Sequence, residues 1–335
     1  MILVTGGTGL VGTHLLLHLA KKHIAVRAIH REGSDLRNVE KVFSYYEEDS
    51  ASLFQKIDWV PADINDIPAL ENAFTDVEYV YHAAAMISFD PGNFKQLMKV
   101  NTEGTANIIN LSIENSIQKF CYVSTIGTIG NSLNGTLSDE DSEWIEDNVN
   151  VYAQSKYAAE MEVWRGSQEG LSVVMINPGV IIGPGFWNTE TGSLFKTANK
   201  GYNYYPPGGT GFVSVHDVIN MMTFLMDSPI HNQRYIAVAE NLTFEIILSR
   251  MCPLLGQSKP SKKLKYWQLE IGRVIDILWN FFTGAGRRLT RASIHSMKHR
   301  GHYSNEKAKE ELNFEFEALG SVIAFSCKRF MEENQ

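Results

Sequence analysis

Tyr152 and Lys156 stand four residues apart in the run from Val151 to Glu160. That run is rich in helix formers and has an amphipathic pattern, so both side chains project from one side of a helix, one turn apart. A free phenol has a pKa of about 10 and moves protons poorly at neutral pH. A neighbouring ammonium favours the phenolate, so Lys156 is expected to draw Tyr152 towards the range where general acid–base catalysis works. Some thirty residues earlier, Phe120 to Thr125 reads as an apolar strand ending in two hydroxyls, Ser124 and Thr125. In this reading Tyr152 protonates a developing alkoxide while one of those two hydroxyls hydrogen-bonds the same oxygen. Tyr-x-x-x-Lys is also a common surface pair, so the elements around it decide.

The first of those elements opens the chain. Ile2 to Val4 is a short apolar run that reads as a central parallel strand. Gly6, Gly9 and Gly12 follow at spacing three, and Leu10 to Lys22 has helical periodicity. Strand, glycine turn and helix in that order form an anion site. One glycine permits the tight turn, one lets backbone approach a pyrophosphate, and one packs helix on sheet. The helix N-terminus adds unpaired N–H groups and a positive dipole end. An ordinary glycine turn is the alternative, and the flanking elements favour the dinucleotide reading.

Thr5 to Gly12, with Thr8, Leu10 and Val11 inside it, reads Thr-Gly-x-x-Gly-x-x-Gly. This resembles the extended branch of the short-chain dehydrogenase/reductase superfamily, of the NAD-dependent epimerase/dehydratase type, and especially its dihydroflavonol-4-reductase and 3β-hydroxysteroid dehydrogenase relatives. The resemblance spans essentially the whole chain. It implies an α/β fold: a Rossmann-type, doubly wound parallel sheet over residues 1–178, joined again by 210–238. A smaller, mostly helical C-terminal lobe over 179–209 and 239–330 would hold the substrate. It also implies a homodimer packed through the helices that carry Asn101 and Tyr152.

The same resemblance distributes the remaining roles. The second strand, Ile24 to Ile29, ends near the adenosine ribose, where an acid selects NAD and a basic residue accepts the 2′-phosphate of NADP. His30 stands where NAD-type members carry Asp, and Arg27 and Arg31 flank it. That pattern favours NADP(H), with NAD(H) as the alternative; two solvated surface arginines are the competing reading. Asp63 and Ile64, after the strand Ile57 to Pro61, fall beside the adenine, unless Asp63 opens the next helix, a role that Asp66 before Pro68 fits better. The fourth strand, Val77 to Tyr81, runs into His82-Ala83-Ala84-Ala85, where small residues let a flat cofactor lie against backbone. His82 reads as a structural histidine rather than a catalyst. Asn101, in a long helix from Met98 to Ile113, matches an Asn-x-x-Gly-Thr pattern and is expected to brace Lys156 or the cofactor loop. Register on Gly130 selects Thr125 as the catalytic hydroxyl and leaves Ser124 on the nicotinamide side, while Lys156 holds the nicotinamide ribose. Asn177-Pro178-Gly179-Val180, after the sixth strand, would flank the nicotinamide amide and open the substrate pocket, with Phe186 and Ser193 beyond.

Composition sets limits on this picture. At 335 residues the chain holds one large α/β unit with a partner lobe. A net charge of −8 disfavours non-specific nucleic-acid binding. Cys121, Cys252 and Cys327 are few, odd in number and far apart, which suggests neither a disulfide framework nor a metal centre. With a core strand at the start and no stretch of ~18 apolar residues, the expectation is a cytoplasmic protein acting on a small molecule, with no leader peptide and no membrane span. Two readings of the reaction stand: a ketone/secondary-alcohol oxidoreductase, or a nucleotide-sugar epimerase or dehydratase that keeps its NAD bound. Asn177 leans to the second, and the missing acid at position 30 to the first. Tyr202, Tyr204 and Tyr205 suit a cleft for a flat or apolar substrate, or ordinary packing. From Leu264 to Phe282 an apolar stripe marks an amphipathic helix. It either covers the substrate pocket or forms a dimer face or membrane-surface patch.

Overall fold

The computed structural model describes residues 1–130, 137–145, 149–189, 192–283 and 289–334, with the side chains of 278, 280–283 and 296 left aside. Its strands are β1 (Ile2–Thr5), β2 (Val26–His30), β3 (Asp58–Pro61), β4 (Tyr79–His82), β5 (Lys119–Val123) and β6 (Val173–Pro178). They continue with β7 (Val180–Ile182), β8 (Tyr204–Tyr205), β9 (Gly209–Ser214), β10 (Gln233–Ala237), β11 (Glu240–Thr243) and β12 (Lys262–Lys263).

Seven of these strands form one parallel sheet in the order β10-β6-β5-β4-β1-β2-β3. Adjacent residues of β1 point to opposite faces, as the pleat requires. Leu3 packs with Ile108, Ile109 and Val163 on one side, and Val4 packs with Leu15, Leu16 and Leu19 on the other. Each of these fully buried side chains is worth roughly 1.5–3 kcal/mol against exposure. Strand order reverses between β1 and β4, and in such sheets ligands bind at the carboxyl edge of that switch point. The expected doubly wound sheet is therefore the one that forms.

Beyond β6 the chain builds a second core. A small sheet, β11-β9-β7, carries the helices Gly192–Asn199, Phe244–Leu254 and Leu319–Asn334. Phe195, Ile247, Leu319 and Phe330 meet between them. β10 then returns to close the large sheet beside β6.

Two elements differ from their sequence patterns. β2 starts at Val26 and not at Ile24, because the turn after the first helix runs on to His23, held at φ +55°. The long helix expected from Met98 is interrupted: Met98–Glu103 is a wide π-type turn, and regular helix resumes at Gly104–Glu114. Such wide turns recur at functional sites, and this one carries Asn101.

Candidate active site

The glycine turn has the form that its spacing predicts. Gly6 adopts φ +71°, and a Cβ there would lie 2.6 Å from the Ala84 nitrogen. A Cβ on Gly12 would come within 2.1 Å of the Gly6 carbonyl oxygen, so helix and turn touch through bare backbone. Gly9 differs: its Cβ would meet only the Gly6 oxygen, at 3.4 Å, leaving open room above the turn. Gly9 caps the helix Leu10–Lys21 with no side-chain acceptor, and no acidic residue occupies the first turn. The leading N–H groups of that helix therefore face the opening with an uncompensated dipole. Thr8, Leu10 and Val11 surround this opening, partly buried. This cradle fits a pyrophosphate.

At the end of β2 the two arginines part company. Arg27 turns away from the ribose position: it donates to Asp58 Oδ2 at 2.7 Å and to the Ala73 and Thr75 carbonyl oxygens at 3.0 and 2.9 Å. The expectation that it meets the cofactor is corrected, because it sits at the second residue of β2, on the side where the helix Ile67–Ala73 ends. Arg31 lies exposed just past the strand. His30 binds the Arg31 carbonyl oxygen through Nδ1 and sets its ring edge-on to Trp59. Asp63 Oδ1 accepts from the Asn65 backbone and side chain, forming a turn, while Asp66 caps the next helix by accepting from Ala69 N. Ile64 packs against Gly104, where a Cβ would intrude to 2.5 Å of Cδ1. That contact explains the glycine of the Asn-x-x-Gly-Thr pattern.

Behind the turn runs a buried polar chain that the sequence did not announce. Thr5 Oγ1 meets His82 Nδ1 at 2.6 Å, His82 Nε2 meets Thr105 Oγ1 at 2.9 Å, and Thr105 donates to the Asn101 carbonyl oxygen at 2.5 Å. Both ring nitrogens of His82 are thus occupied. Burial, with Lys156 nearby, pushes its pKa down to about 3, so it stays neutral. The ring thus braces the turn. Thr5 Oγ1 also accepts from Ala84 N at 3.2 Å, which ties the Ala83–Ala85 stretch to the turn.

Tyr152 and Lys156 sit on the helix Val151–Gln168, started by Asn150, whose side chain accepts from Ala153 N. Lys156 is fully buried; its Nζ donates to the Val123 carbonyl oxygen at 2.8 Å and lies 4.2 Å from the Tyr122 ring centre. Burial lowers its pKa to about 7, against an opposing effect of Glu160. Tyr152 behaves contrary to expectation: removal from water holds its hydroxyl well above the usual 10, so it rests as the neutral phenol. Phe89 sets its ring edge-on to Tyr152 at 5.9 Å. Thr125, two residues past the end of β5, keeps extended backbone and accepts from Gly127 N at 3.1 Å, leaving its own proton to donate. Asn101 links two parts: Oδ1 accepts from Met86 N at 2.7 Å, and Nδ2 donates to Met86 O and Ser155 Oγ, each at 2.9 Å. It therefore braces the cofactor loop against the helix of Tyr152 and makes no bond to Lys156 itself.

Comparison with known proteins accords with this geometry. Residues 2–238 match the model of the NAD dependent epimerase/dehydratase family. The chain belongs to that family. It is 29% identical over 273 residues to a putative dihydroflavonol 4-reductase of Synechocystis sp., an alignment covering 79% of this chain and 75% of that one. With sterol demethylase protein B of Methylococcus capsulatus it shares 26% identity over 262 residues, covering 77% and 75%. The crystal structure of gox2253 superposes with a TM-score of 0.82 at 25% identity, covering 99% and 98%.

Within this epimerase/dehydratase fold, the Asn177 side chain turns inward. It is completely buried, and Nδ2 donates to Glu160 Oε1 at 2.6 Å, to Thr128 Oγ1 at 2.9 Å and to the Thr125 carbonyl oxygen at 3.2 Å. Its expected direct contact with substrate is corrected: the side chain fixes the Thr125 turn against the catalytic helix. Glu160, also fully buried, collects Thr128 at 2.6 Å and pairs with Arg234 at 3.4 Å. Glu160 was legible as the next step of the four-residue ladder from Tyr152 and Lys156. Ser124 Oγ and Asn177 Oδ1 are buried without a hydrogen-bond partner among the described residues. These unmet polar atoms at the carboxyl edge fit a bound nicotinamide. Pro178 is buried, and Gly179 lets β9 pass close, since a Cβ would stand 2.4 Å from the Gly211 oxygen; Val180 then begins β7.

Phe186 is partly buried, and its carbonyl oxygen accepts from Thr189 Oγ1. Thr189, not Ser193, receives the N–H that opens the helix Gly192–Asn199, and Ser193 lies exposed in its first turn. Tyr202 and Tyr204 are 54% and 44% exposed, so they face solvent and do not line an enclosed cleft. A groove of about 420 Å³ lined by Glu140, Trp144, Tyr157 and Arg234 touches the Asn177–Glu160 cluster at Thr128 and through the Arg234–Glu160 pair.

Proposed function

We propose that the chain is a nicotinamide-dependent oxidoreductase that interconverts a ketone and a secondary alcohol. The observation that carries this reading is the junction of β5 with the catalytic helix. There a buried Lys156 is fixed on Val123, one turn from a neutral Tyr152, and a Thr125 proton remains available at the strand end. A bound nicotinamide would supply hydride to the carbonyl carbon. Tyr152 would give its proton to the oxygen, Thr125 would donate a hydrogen bond to the same oxygen, and the Lys156 ammonium would stabilise the phenolate left behind. A phenol held protonated at rest is set for the reductive direction.

Phe89 beside Tyr152, and the names of the two curated relatives, support a flat, apolar ketone. A carboxylate is missing at the end of β2, where His30 stands, and Arg31 follows; both favour NADP(H) over NAD(H). The epimerase reading loses its residue, since Asn177 is turned inward to Glu160. A homodimer would form through Gly104–Glu114 and Val151–Gln168, where Met161 stays exposed.

The test is turnover of NADPH against a panel of aromatic and polycyclic ketones. Tyr152→Phe should lower kcat about a thousandfold with cofactor affinity retained. Unchanged turnover in that variant, or a tightly retained NAD that no added ketone reoxidises, would refute the proposal.

A further inference from the structure

Through residues 266–277 the helix Tyr266–Thr283 wears its apolar side outward. Leu269, Gly272 and Asp276 share the stripe that faces the protein: Leu269 is buried, and Asp276 Oδ2 accepts from Leu289 N at 3.0 Å. On the opposite side Trp267, Ile271, Val274 and Ile275 are 58%, 51%, 49% and 60% exposed. A surface helix ordinarily points such a stripe at the core, and a contiguous exposed one marks an interaction surface.

The charge around it identifies the occupant. Residues 257–305 hold ten Lys and Arg against two acidic residues, in a chain whose net charge is −8. Lys262, Lys263 and Lys265 lead into the helix, and Arg291, Lys298 and Arg300 follow it, all exposed. Cations also pair with aromatic rings along this rim. Lys298 Nζ lies 3.8 Å from the Tyr266 ring centre, and Lys200 and Lys262 each lie 5.8 Å from those of Tyr202 and Tyr204. The strand pair β8–β12 joins Tyr204 and Tyr205 to the segment that leads into the helix. Apolar face, aromatic rim and flanking lysines are the pattern of a segment lying in a membrane interface. A second copy on this face would bring two sets of like charges together, which association disfavours. Among the described residues no helix is long and apolar enough to cross a membrane, so the segment would lie on the lipid and not span it.

We infer that this face, from Lys262 through Ile275, docks the protein on an anionic lipid surface, with the helix in the headgroup plane. The inference is independent of the reaction proposed above.

Flotation of the full chain with lipid vesicles tests it, using phosphatidylcholine alone and phosphatidylcholine mixed equally with phosphatidylglycerol. Binding should be at least about tenfold tighter to the anionic vesicles and should weaken with salt. Trp267→Ser with Ile271→Ser should abolish it, and Lys262→Glu with Lys263→Glu should reduce it to the level of neutral lipid. All four side chains are exposed, so circular dichroism should show unchanged folding. Failure to float with either vesicle, or equal binding to both, would overturn the inference. So would light scattering that showed a self-association through this face, lost in the Trp267→Ser variant.

Discussion

Lys156 Nζ stands 2.8 Å from the Val123 carbonyl oxygen, so the last residue of β5 fixes the charged group of the catalytic helix. The same burial that holds it lowers its pKa from 10.5 to about 7. The ammonium that stabilises a Tyr152 phenolate therefore prevails only below about pH 7. Reductive kcat should fall as pH rises through that value, and a profile flat from about pH 6 to about pH 8 would exclude the role.

Stability should move the other way. The unfolded chain keeps the Lys156 proton up to its ordinary value, whereas the folded chain releases it near 7. The unfolded state thus binds more protons between the two, and stability rises with pH across that interval. Lys156→Met should abolish turnover and remove this part of the rise, measured as Tm at about pH 6 and about pH 9.

Asn101 should act as a positioning residue. Asn101→Ala leaves Met86 N and O without their partners and should destabilise by about 1–3 kcal/mol. Asn101→Asp can still accept from Met86 N but cannot donate to Met86 O or Ser155, so it should restore little. Thermal unfolding, read beside the KM for cofactor, separates loop bracing from a purely structural loss, which would leave KM unmoved.

Gly9 and Gly12 should give opposite outcomes. Gly12→Ala drives a methyl into the Gly6 carbonyl and should disrupt folding, while Gly9→Ala has room and allowed extended backbone. Gly9→Ala should keep its Tm but bind nucleotide at least about tenfold more weakly, near 1.4 kcal/mol by calorimetry. Undiminished binding would place the pyrophosphate elsewhere.

The two arginines divide in the same way. Arg27→Ala removes the Asp58 pair and two carbonyl contacts, and should lower stability without changing the preference between NADPH and NADH. Arg31→Ala should lower that preference about tenfold. An effect of Arg27 on the affinity ratio would restore the role that its contacts deny.

Much of this molecule could be read from local pattern. The Thr5–Gly12 turn, the strand runs and the Tyr152–Lys156 spacing each depend on neighbours within a few residues, where sterics and helical periodicity dictate geometry. Cofactor selection was less legible. Arg27 and Arg31 look alike in sequence, yet one faces the end of a neighbouring helix and the other solvent, because Arg27 lies inside β2 with β3 alongside and Arg31 lies past the end of the strand. The inward turn of Asn177 needed Glu160 and Thr128, which come from separate elements. Tyr152 was expected to be acidified by its ammonium partner, and instead burial raises it, because desolvation depends on everything packed around the ring.

The sequence by itself therefore determined the strand runs, the anion cradle and the Tyr152–Lys156 spacing, since these follow from contacts made close along the chain. Tertiary structure alone decided which side chains are free to act and at what protonation, and left the helix Tyr266–Thr283 with its apolar side to solvent. Those properties arise from burial and from partners distant in sequence, and no local spacing carries them.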